Sequence, residues 1–527
     1  MRILTAEQMR GVDRAAIERL GLPALVLMEN AALGVVDAIG RQYPDAESAA
    51  IFCGPGNNGG DGLAVARQLA TRGYAVEVFL ADGGRPLAGD AALQLAVCRR
   101  LDLSIHQLPP DAGPQALAAA LAAAREHDLV IDALFGTGLA RPLAGLFASL
   151  VAGLNEVPRP RVAVDIPSGL SGSHAEPPGP HLLADLTVTF AAPKVAHVFP
   201  PAADAVGELV VTDLGFPARL VEEAEGDLHL LVGEELRGLL PPRARDSHKG
   251  DFGHLLLVAG SLGKAGAAVL AARAAVRAGA GLVTAAVPAP ILPILHLGSV
   301  ESMGVPLPTR PAAEDGGAGA LAAAAADVVL QALAGKSALA VGPGLGQEAE
   351  TVAAVRRLVA AADLPLVLDA DGINAFAGRA GDLAARRAPT VLTPHPGELG
   401  RLLGTSTREV QADRPAAARQ AAAATGAIVV LKGSLTLIAA PGGGLYVNPT
   451  GNPGMASGGT GDVLTGILGS LLAQRLEPLD AACLAVYLHG LAGDLALARL
   501  RGPSLAAEDL IADLPGAFAS LADGQAP

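Results

Sequence analysis

Apolar residues fall into two rhythms along this chain. From Thr5 to Gly40 they recur at helical spacing, through Met9, Val12, Ile17 and Leu20 and then, after the Gly21-Leu22-Pro23 break, from Leu25 to Leu33. That spacing predicts a helical pair. Such a pair ahead of a sheet covers an edge or forms an oligomer interface, and a homo-oligomer is expected. Beyond it the apolar positions come in short unbroken runs. The first half has Ala49 to Cys53, Leu129 to Ile131, Val162 to Val164 and Leu186 to Phe190. The second half has His254 to Ala259, Leu339 to Val341, Leu366 to Leu368, Thr390 to Leu392 and Ile428 to Leu431. Runs of this kind predict strands buried on both faces of a parallel sheet. Leu63 to Leu69, Ala268 to Arg277 and the stretch after Asp462 read as helices. The rhythm lapses between residues 218 and 250, where Glu222, Glu223, Glu225 and Asp227 precede Glu234, Glu235 and Pro241-Pro242-Arg243. This acidic, then Pro/Arg-rich passage reads as a connection, dividing the chain into domains 1–225 and 226–527.

Composition narrows the class. A chain of 527 residues exceeds what one core usually organises, and 51% apolar with 17% charged residues suits buried α/β elements. A formal net charge of −14 argues against a nucleic-acid partner, and 3% aromatic residues with no Trp leave few stacking platforms. Any anionic ligand must therefore be held by local N–H groups and a few cations. Cys53, Cys98 and Cys483 lie far apart without metal-ligand spacing, as buried thiols of a reducing compartment do. The N-terminus turns polar at once, and the apolar stretch from Ala265 to Leu297 is interrupted by Arg273, Arg277 and prolines. No signal peptide, no membrane span and a cytoplasmic location are the expectations.

Chemistry gathers where the strands end. After the first run comes Gly54-Pro55-Gly56-Asn57-Asn58-Gly59-Gly60-Asp61-Gly62. Strand, glycine loop and helix is a dinucleotide-binding arrangement, with ligand expected at the carboxyl ends of the strands. Two amides and an acid among glycines suit a ligand or an ion, although Asn-Asn-Gly is also plain turn chemistry. Asp132 and Asp165 end later strands, followed by Phe135-Gly136-Thr137-Gly138 and Ile166-Pro167-Ser168-Gly169, and Lys194 follows the next. One strand-end Asp is commonly a cap. Two of them with a Lys on the next strand point to a site. Lys194 by itself also reads as a surface lysine.

Asn57 to Gly62, Phe135 to Gly138 and Val164-Asp165-Ile166-Pro167-Ser168-Gly169 together resemble the NAD(P)H-hydrate epimerases, over residues 1 to 217. Thr5-Ala6-Glu7-Gln8-Met9 and Leu27-Met28-Glu29-Asn30-Ala31-Ala32 fit that family too. The resemblance implies a Rossmann-like three-layer α/β/α domain. In it Asn57, Asn58, Gly59, Gly60 and Asp61, with Gly136, Thr137, Gly138, Leu139, Ala140, Arg141 and Pro142, would bind the hydrated cofactor, and Asp165 would contact its ring. Asn58, Asp132 and Ser168 would hold K⁺, an oxygen donor set that suits a hard cation. Asp165 and Lys194 are the candidate acid/base pair. Where the family leads one to expect glycine after Lys194, this chain has Val195-Ala196-His197.

In the second half, Asn452-Pro453-Gly454-Met455-Ala456-Ser457-Gly458-Gly459-Thr460-Gly461-Asp462 runs into an apolar helix. Unpaired N–H groups and the helix dipole make such a junction an anion site. Asp462 beside it reads either as a first-turn cap or as a base that takes a proton from an attacking hydroxyl. Lys432 and Thr436 offer a cation and a hydroxyl for phosphates, and neither loop is a Walker A motif. His395-Pro396-Gly397-Glu398, Lys432-Gly433-Ser434 and Asn452 to Ala456 resemble the ADP-dependent NAD(P)H-hydrate dehydratases of the ribokinase-like fold, from about residue 226 onward. The resemblance implies Lys432, Gly433, Ser434, Leu435, Thr436 and Gly461 at the nucleotide. It implies Ala265, Gly344, His395 and Asp462 at the hydrate, with Mg²⁺ bridging ADP. His395 between two prolines also reads as a turn histidine.

The expectation is a two-headed enzyme acting on NADHX and NADPHX, its first domain exchanging R and S epimers and its second dehydrating the S form at the expense of ADP. Two rivals share these motifs. One is a C-terminal small-molecule kinase that releases a phosphorylated product. The other makes residues 1 to 217 a non-catalytic binding module.

Overall fold

The computed structural model describes residues 1–139, 141–240, 243–310, 319–502 and 504–525. Ala140 and the Pro241-Pro242 pair lie outside the described residues. The chain divides into two compact units, residues 2–226 and, with Met1, residues 227–527.

The first unit is a seven-stranded parallel sheet: β1 (Ser48–Cys53), β2 (Ala75–Leu80), β3 (Ser104–Gln107), β4 (Leu129–Ala133), β5 (Arg161–Val164), β6 (Leu186–Phe190) and β7 (Glu208–Thr212). The order β3-β2-β1-β4-β5-β6-β7 reverses between β1 and β4, and ligands bind such sheets at that reversal. Alternation along β1 produces two cores. Ala49, Ile51 and Cys53 join the helices Ala24–Gln42 and Asn57–Thr71 in one cluster, while Ala50 and Phe52 join Pro114–Glu126 and Gly145–Asn155 in another. The result is three layers.

Ahead of the sheet, the helix Ala6–Leu20 opens on a capping box, with Gln8 N–H donating to Thr5 Oγ1 (3.2 Å) and Thr5 N–H to Gln8 Oε1 (2.7 Å). The glycine-rich motif after β1 differs from the reading above. The helix begins at Asn57, so the amides and Asp61 form its first turns rather than a loop ahead of it.

The second unit is a ten-stranded sheet: β8 (Leu228–Leu230), β9 (His254–Val258), β10 (Leu282–Pro288), β11 (Met303–Leu307), β12 (Ala338–Val341), β13 (Leu366–Leu368), β14 (Thr390–Leu392), β15 (Ile428–Leu431), β16 (Leu437–Ala439) and β17 (Leu445–Val447). The order is β11-β10-β9-β12-β13-β14-β15-β16-β17-β8. Only β16 runs antiparallel to its neighbours, so Lys432–Thr436 is the turn of a hairpin closed by the Leu431 and Leu437 pair. One face carries a core of Leu255, Leu257, Ala340, Val367 and Val430 under the helices Ala265–Arg277, Thr460–Ala473 and Pro478–Leu500. Alternate residues such as Leu256, Leu339 and Leu366 are buried on the other face. Pro478–Leu500 is the one described helix long and apolar enough to cross a membrane, and 72% of its most apolar window is buried inside the fold. The three cysteines are buried and unpaired.

The helix Thr460–Ala473 presses against Ala265–Arg277 at Gly466, where a Cβ would sit 2.2 Å from the carbonyl oxygen of Ala271. Gly466→Ala should therefore force the helices apart and destabilise the second unit by about 1–3 kcal/mol, read as a lowered denaturation midpoint. Gly11→Ala, on an exposed helical turn with open space around it, is the control and should leave the midpoint unchanged or raised.

Candidate functional sites

In the first unit four strand ends converge. Asp165 follows β5 with φ of +68° and is bracketed by an Ile166 N–H bond to the Val164 carbonyl at 2.9 Å. Ala191, after β6, has φ of +61° and the same arrangement, Ala192 N–H to the Phe190 carbonyl at 2.7 Å. These three-residue turns with positive φ are a rare, strained form. Between them they bring Lys194 onto Asp165. Lys194 is 1% exposed, and its Nζ donates to Asp165 Oδ1 (3.0 Å), Thr189 Oγ1 (2.7 Å) and the Phe190 carbonyl (3.0 Å). It is no surface lysine. Burial opposes ionisation of Asp165, but the Lys194 ammonium outweighs it and holds the carboxyl below its ordinary range.

Asp165 Oδ2 accepts from Thr137 N–H at 3.3 Å. A Cβ on Gly136 would lie 3.1 Å from that oxygen and 3.2 Å from Asn58 Oδ1, so the three residues surround one spot that only glycine leaves open. The Asn58 Nδ2 is buried without a partner, as a group awaiting a ligand would be. Asp132 is fully buried, accepting from Ser168 N–H (2.8 Å), Ser168 Oγ (2.7 Å) and Leu134 N–H (3.1 Å). Burial pushes its carboxyl up to about 6, and no cationic side chain is paired with it among the described residues. Asn57, Gly138, Arg141 and Pro142 are exposed, while Gly60 faces inward, its missing side chain making room for Met28 and Ala91.

Three further groups stand around the pair of Asp165 and Lys194: Asp61 belongs to the glycine-rich motif, whereas the sequence assigns no role to Asp13 and His197. Asp13, on the first helix, and Asp61 are partly buried beside Asp165; burial pushes Asp13 up to about 6 and raises Asp61 as well. His197 accepts the Lys194 N–H on Nδ1 (3.0 Å) and is held neutral, chiefly by burial, with its proton affinity pushed down to about 3. The glycine expected after Lys194 is thus replaced by a histidine that braces the lysine's own backbone.

In the second unit the chain ends of β13, β14 and β15 meet the N-terminus of Thr460–Ala473. Gly459, with φ of +95°, caps that helix and leaves Asp462 in its first turn. Lys432 Nζ lies 3.3 Å from where a Gly461 Cβ would be, so the cation stands over the glycines that open this helix. Asp462 is partly buried, and burial, then Asp369, push its carboxyl up to about 7 against the pull of Lys432.

Lys432 itself pairs with Asp369 Oδ1 at 2.9 Å and lies 3.8 Å from Glu398 Oε2. His395 is the N-cap of Pro396–Leu403, its Nδ1 accepting from Gly397 N–H (3.0 Å) while Nε2 stands 3.3 Å from Glu398 Oε1. It is a turn histidine, and through Glu398 it stands next to Lys432. Ala265 opens its helix beside Gly344, whose carbonyl accepts from Ser261 Oγ at 2.7 Å. Lys264, one residue earlier, reaches Asp371 at 3.6 Å. Arg414 bonds the carbonyls of Leu431, Lys432, Ser434 and Leu435, setting the shape of the Lys432–Thr436 turn. Asp369 and Arg414 carried no motif signal of their own, although Leu-Asp-Ala-Asp-Gly at a buried strand end resembles the Val-Asp-Ile-Pro of the first unit.

Each unit therefore presents a lysine paired with a buried strand-end carboxylate, Lys194 itself buried and Lys432 half-buried, beside a glycine-lined opening. Residues 24–196 match a family model described as the YjeF-related protein N-terminus, and residues 255–515 one described as NAD(P)H-hydrate dehydratase. A Moorella thermoacetica protein named bifunctional NAD(P)H-hydrate repair enzyme is 44% identical over 98% of this chain and 96% of its own. An Escherichia coli protein of the same name is 36% identical over 97% and 92%. A solved structure of the ADP/ATP-dependent NAD(P)H-hydrate dehydratase of Bacillus subtilis, co-crystallised with ATP and Mg²⁺, is 33% identical and covers 56% of this chain and 98% of that one, with a TM-score of 0.47. Matched over nearly its whole length, the chain belongs to the family of bifunctional NAD(P)H-hydrate repair enzymes.

Proposed function

We propose that the chain returns hydrated NADH and NADPH to use in two steps. The first unit interconverts the R and S epimers at C6, and the second dehydrates the S epimer, converting ADP to AMP and phosphate. Hydroxide is a poor leaving group, so elimination needs the C6 oxygen activated. Phosphoryl transfer from ADP to that oxygen supplies the activation; the C6–O bond then breaks with release of phosphate, and loss of the C5 proton to water re-forms the C5–C6 double bond. The observation that carries this reading is Asp462, a carboxyl with proton affinity raised to about 7 beside the anion site of its own helix. A base so poised takes the hydroxyl proton near neutral pH.

Backbone N–H groups of Gly459 to Gly461 stabilise the transferring phosphoryl, and Lys432 to Thr436 with Gly461 hold the nucleotide. Ala265, Gly344 and His395 bind the hydrate. Among the described residues no group of three or more His, Cys, Asp or Glu side chains is arranged around a metal, which suits an ion carried on the nucleotide phosphates. Mg²⁺ there would neutralise charge on the phosphates.

At the first site Asn57 to Asp61, Gly136 to Leu139, Arg141 and Pro142 line the cofactor, with Ala140 assigned by resemblance alone. Asp165 exchanges the proton while Lys194 keeps it ionised. Asn58, Asp132 and Ser168 fit K⁺: all offer oxygen, and the buried Asp132 has no other cation paired with it. K⁺ would supply that positive charge. Relatives matched across both units favour this reading over a kinase joined to a passive module.

Asp462→Asn should lower dehydration by about 10²–10⁴-fold and leave R-to-S exchange intact, while Asp165→Asn should do the reverse. Both are read by NMR of the epimers and by near-ultraviolet recovery of reduced nicotinamide; loss of both activities in either folded variant contradicts separate sites. The dehydration rate should fall about tenfold per pH unit on the acid side of pH 7, because protonated Asp462 cannot accept the hydroxyl proton. Exchange of K⁺ for tetramethylammonium should slow epimerisation and spare dehydration at constant Mg²⁺ and ionic strength.

A further inference from the structure

Asp369 occupies the point where four elements of the second unit meet, and no ligand role falls to it. It follows β13 and is 1% exposed. Its Oδ1 accepts from Thr393 Oγ1 (2.7 Å), beyond β14, and from Lys432 Nζ (2.9 Å), beyond β15. Its Oδ2 accepts from Thr465 Oγ1 (2.8 Å), on the helix that carries Asp462. Thr465 is three residues after Asp462, on the same helical face. The backbone is clamped as well, since a Cβ on Gly342 would come within 1.8 Å of the Asp369 carbonyl oxygen. With a hydroxyl donor on each oxygen and an ammonium on Oδ1 as well, this carboxylate serves the protein rather than a substrate.

We infer that Asp369 is a positioning residue for dehydration: it anchors Lys432 over Gly461 and is the fixed negative neighbour that keeps Asp462 a competent base. The inference rests on the reading of Asp462 as that base. The charged groups facing Asp462 are Asp369, Lys432, Asp371 and Glu398. Asp371 is itself engaged by Lys264 and by Gly346 N–H, and Glu398 by His395 and Lys432. His489, bonded to the Thr460 carbonyl at 2.9 Å, is held neutral by burial and adds no charge. Asp369 is therefore the one of these carboxylates bonded both to the lysine and to the helix of the base.

Asp369→Asn keeps the size and an acceptor but removes the charge. The test is the pH dependence of dehydration by the full chain with the S epimer, ADP and Mg²⁺, comparing Asp369→Asn, Thr465→Val and the unmodified protein. For Asp369→Asn the acid limb should move about one pH unit lower, so the ratio of rates at pH 8 and pH 6 contracts from about tenfold to about twofold. The plateau rate should also fall, as Lys432 loses its anchor. Thr465→Val, which keeps the charge, should leave the limb in place. Epimerisation by the same preparations reports the first unit, and near-ultraviolet circular dichroism reports the second. A folded Asp369→Asn protein with an unmoved limb overturns the inference. If that variant turns over too slowly to assay, a carbon-13 titration of labelled aspartates reads the Asp462 midpoint directly, and an unmoved midpoint has the same meaning. Failure of the unmodified protein to regenerate reduced nicotinamide overturns the proposed function instead.

Discussion

A carboxylate buried at the end of a strand must find positive charge or a set of donors, because the interior does not solvate it. Both units are arranged to meet that demand in the same way. Lys194 meets Asp165 from the end of the adjacent strand at 3.0 Å, and Lys432 meets Asp369 at 2.9 Å from two strands away, across the end of β14. Neither lysine has to travel far along the chain to do so. Parallel strands bring all their carboxyl ends to one edge of the sheet, and adjacent strands place successive exits side by side.

The same pairing serves opposite ends. Asp165 touches its lysine directly and is held ionised, and among the described residues it is the one carboxylate that Lys194 bonds. In the second unit Lys432 is committed to Asp369, with Glu398 close by, so little of its charge is left for Asp462. Asp462 accordingly keeps the raised proton affinity that burial gives it. Two aspartates beside two lysines thus differ because Asp165 is bonded to its lysine, while the lysine beside Asp462 is bonded to Asp369. A committed lysine still presents its remaining donors to phosphate, which suits a site that binds a nucleotide and a base together.

Much of this was legible in the residues and some was not. The strands β1, β4–β6, β9 and β12–β15 announce themselves because both faces are buried and the runs are unbroken. The strand β3, Ser-Ile-His-Gln, is polar and lies at an edge, and β16 and β17 are three residues each around a glycine-rich turn. Nothing in such short, mixed segments separates strand from loop until a neighbour supplies hydrogen bonds. The glycine motifs were visible, but the helix start at Asn57 was hidden by glycines that disfavour helices locally and are there for close packing. Lys194 remained open between catalyst and surface residue because burial is a tertiary property. Asp369 carries no motif in the sequence, since its partners Thr393, Lys432 and Thr465 lie up to 96 residues away.

Backbone strain follows the same carboxylates. Asp165 has φ of +68°, Ala191 before Lys194 has φ of +61°, and Ala370 after Asp369 has φ of +47°. Glycine would adopt these conformations with less cost, and an L-residue there costs about 1–3 kcal/mol. At Asp165 the side chain explains the choice, since glycine would remove the carboxylate. At Ala191 and Ala370 it does not: the strain exceeds the unfolded-chain entropy that alanine saves over glycine, so tertiary contacts have to impose the turn. Those contacts exist. Ala191 N–H reaches the Thr212 carbonyl at 2.8 Å, and Asp369 N–H the Val341 carbonyl at 3.1 Å. The sheet therefore bears the strain, and each carboxylate leaves its strand in a direction that its lysine can meet.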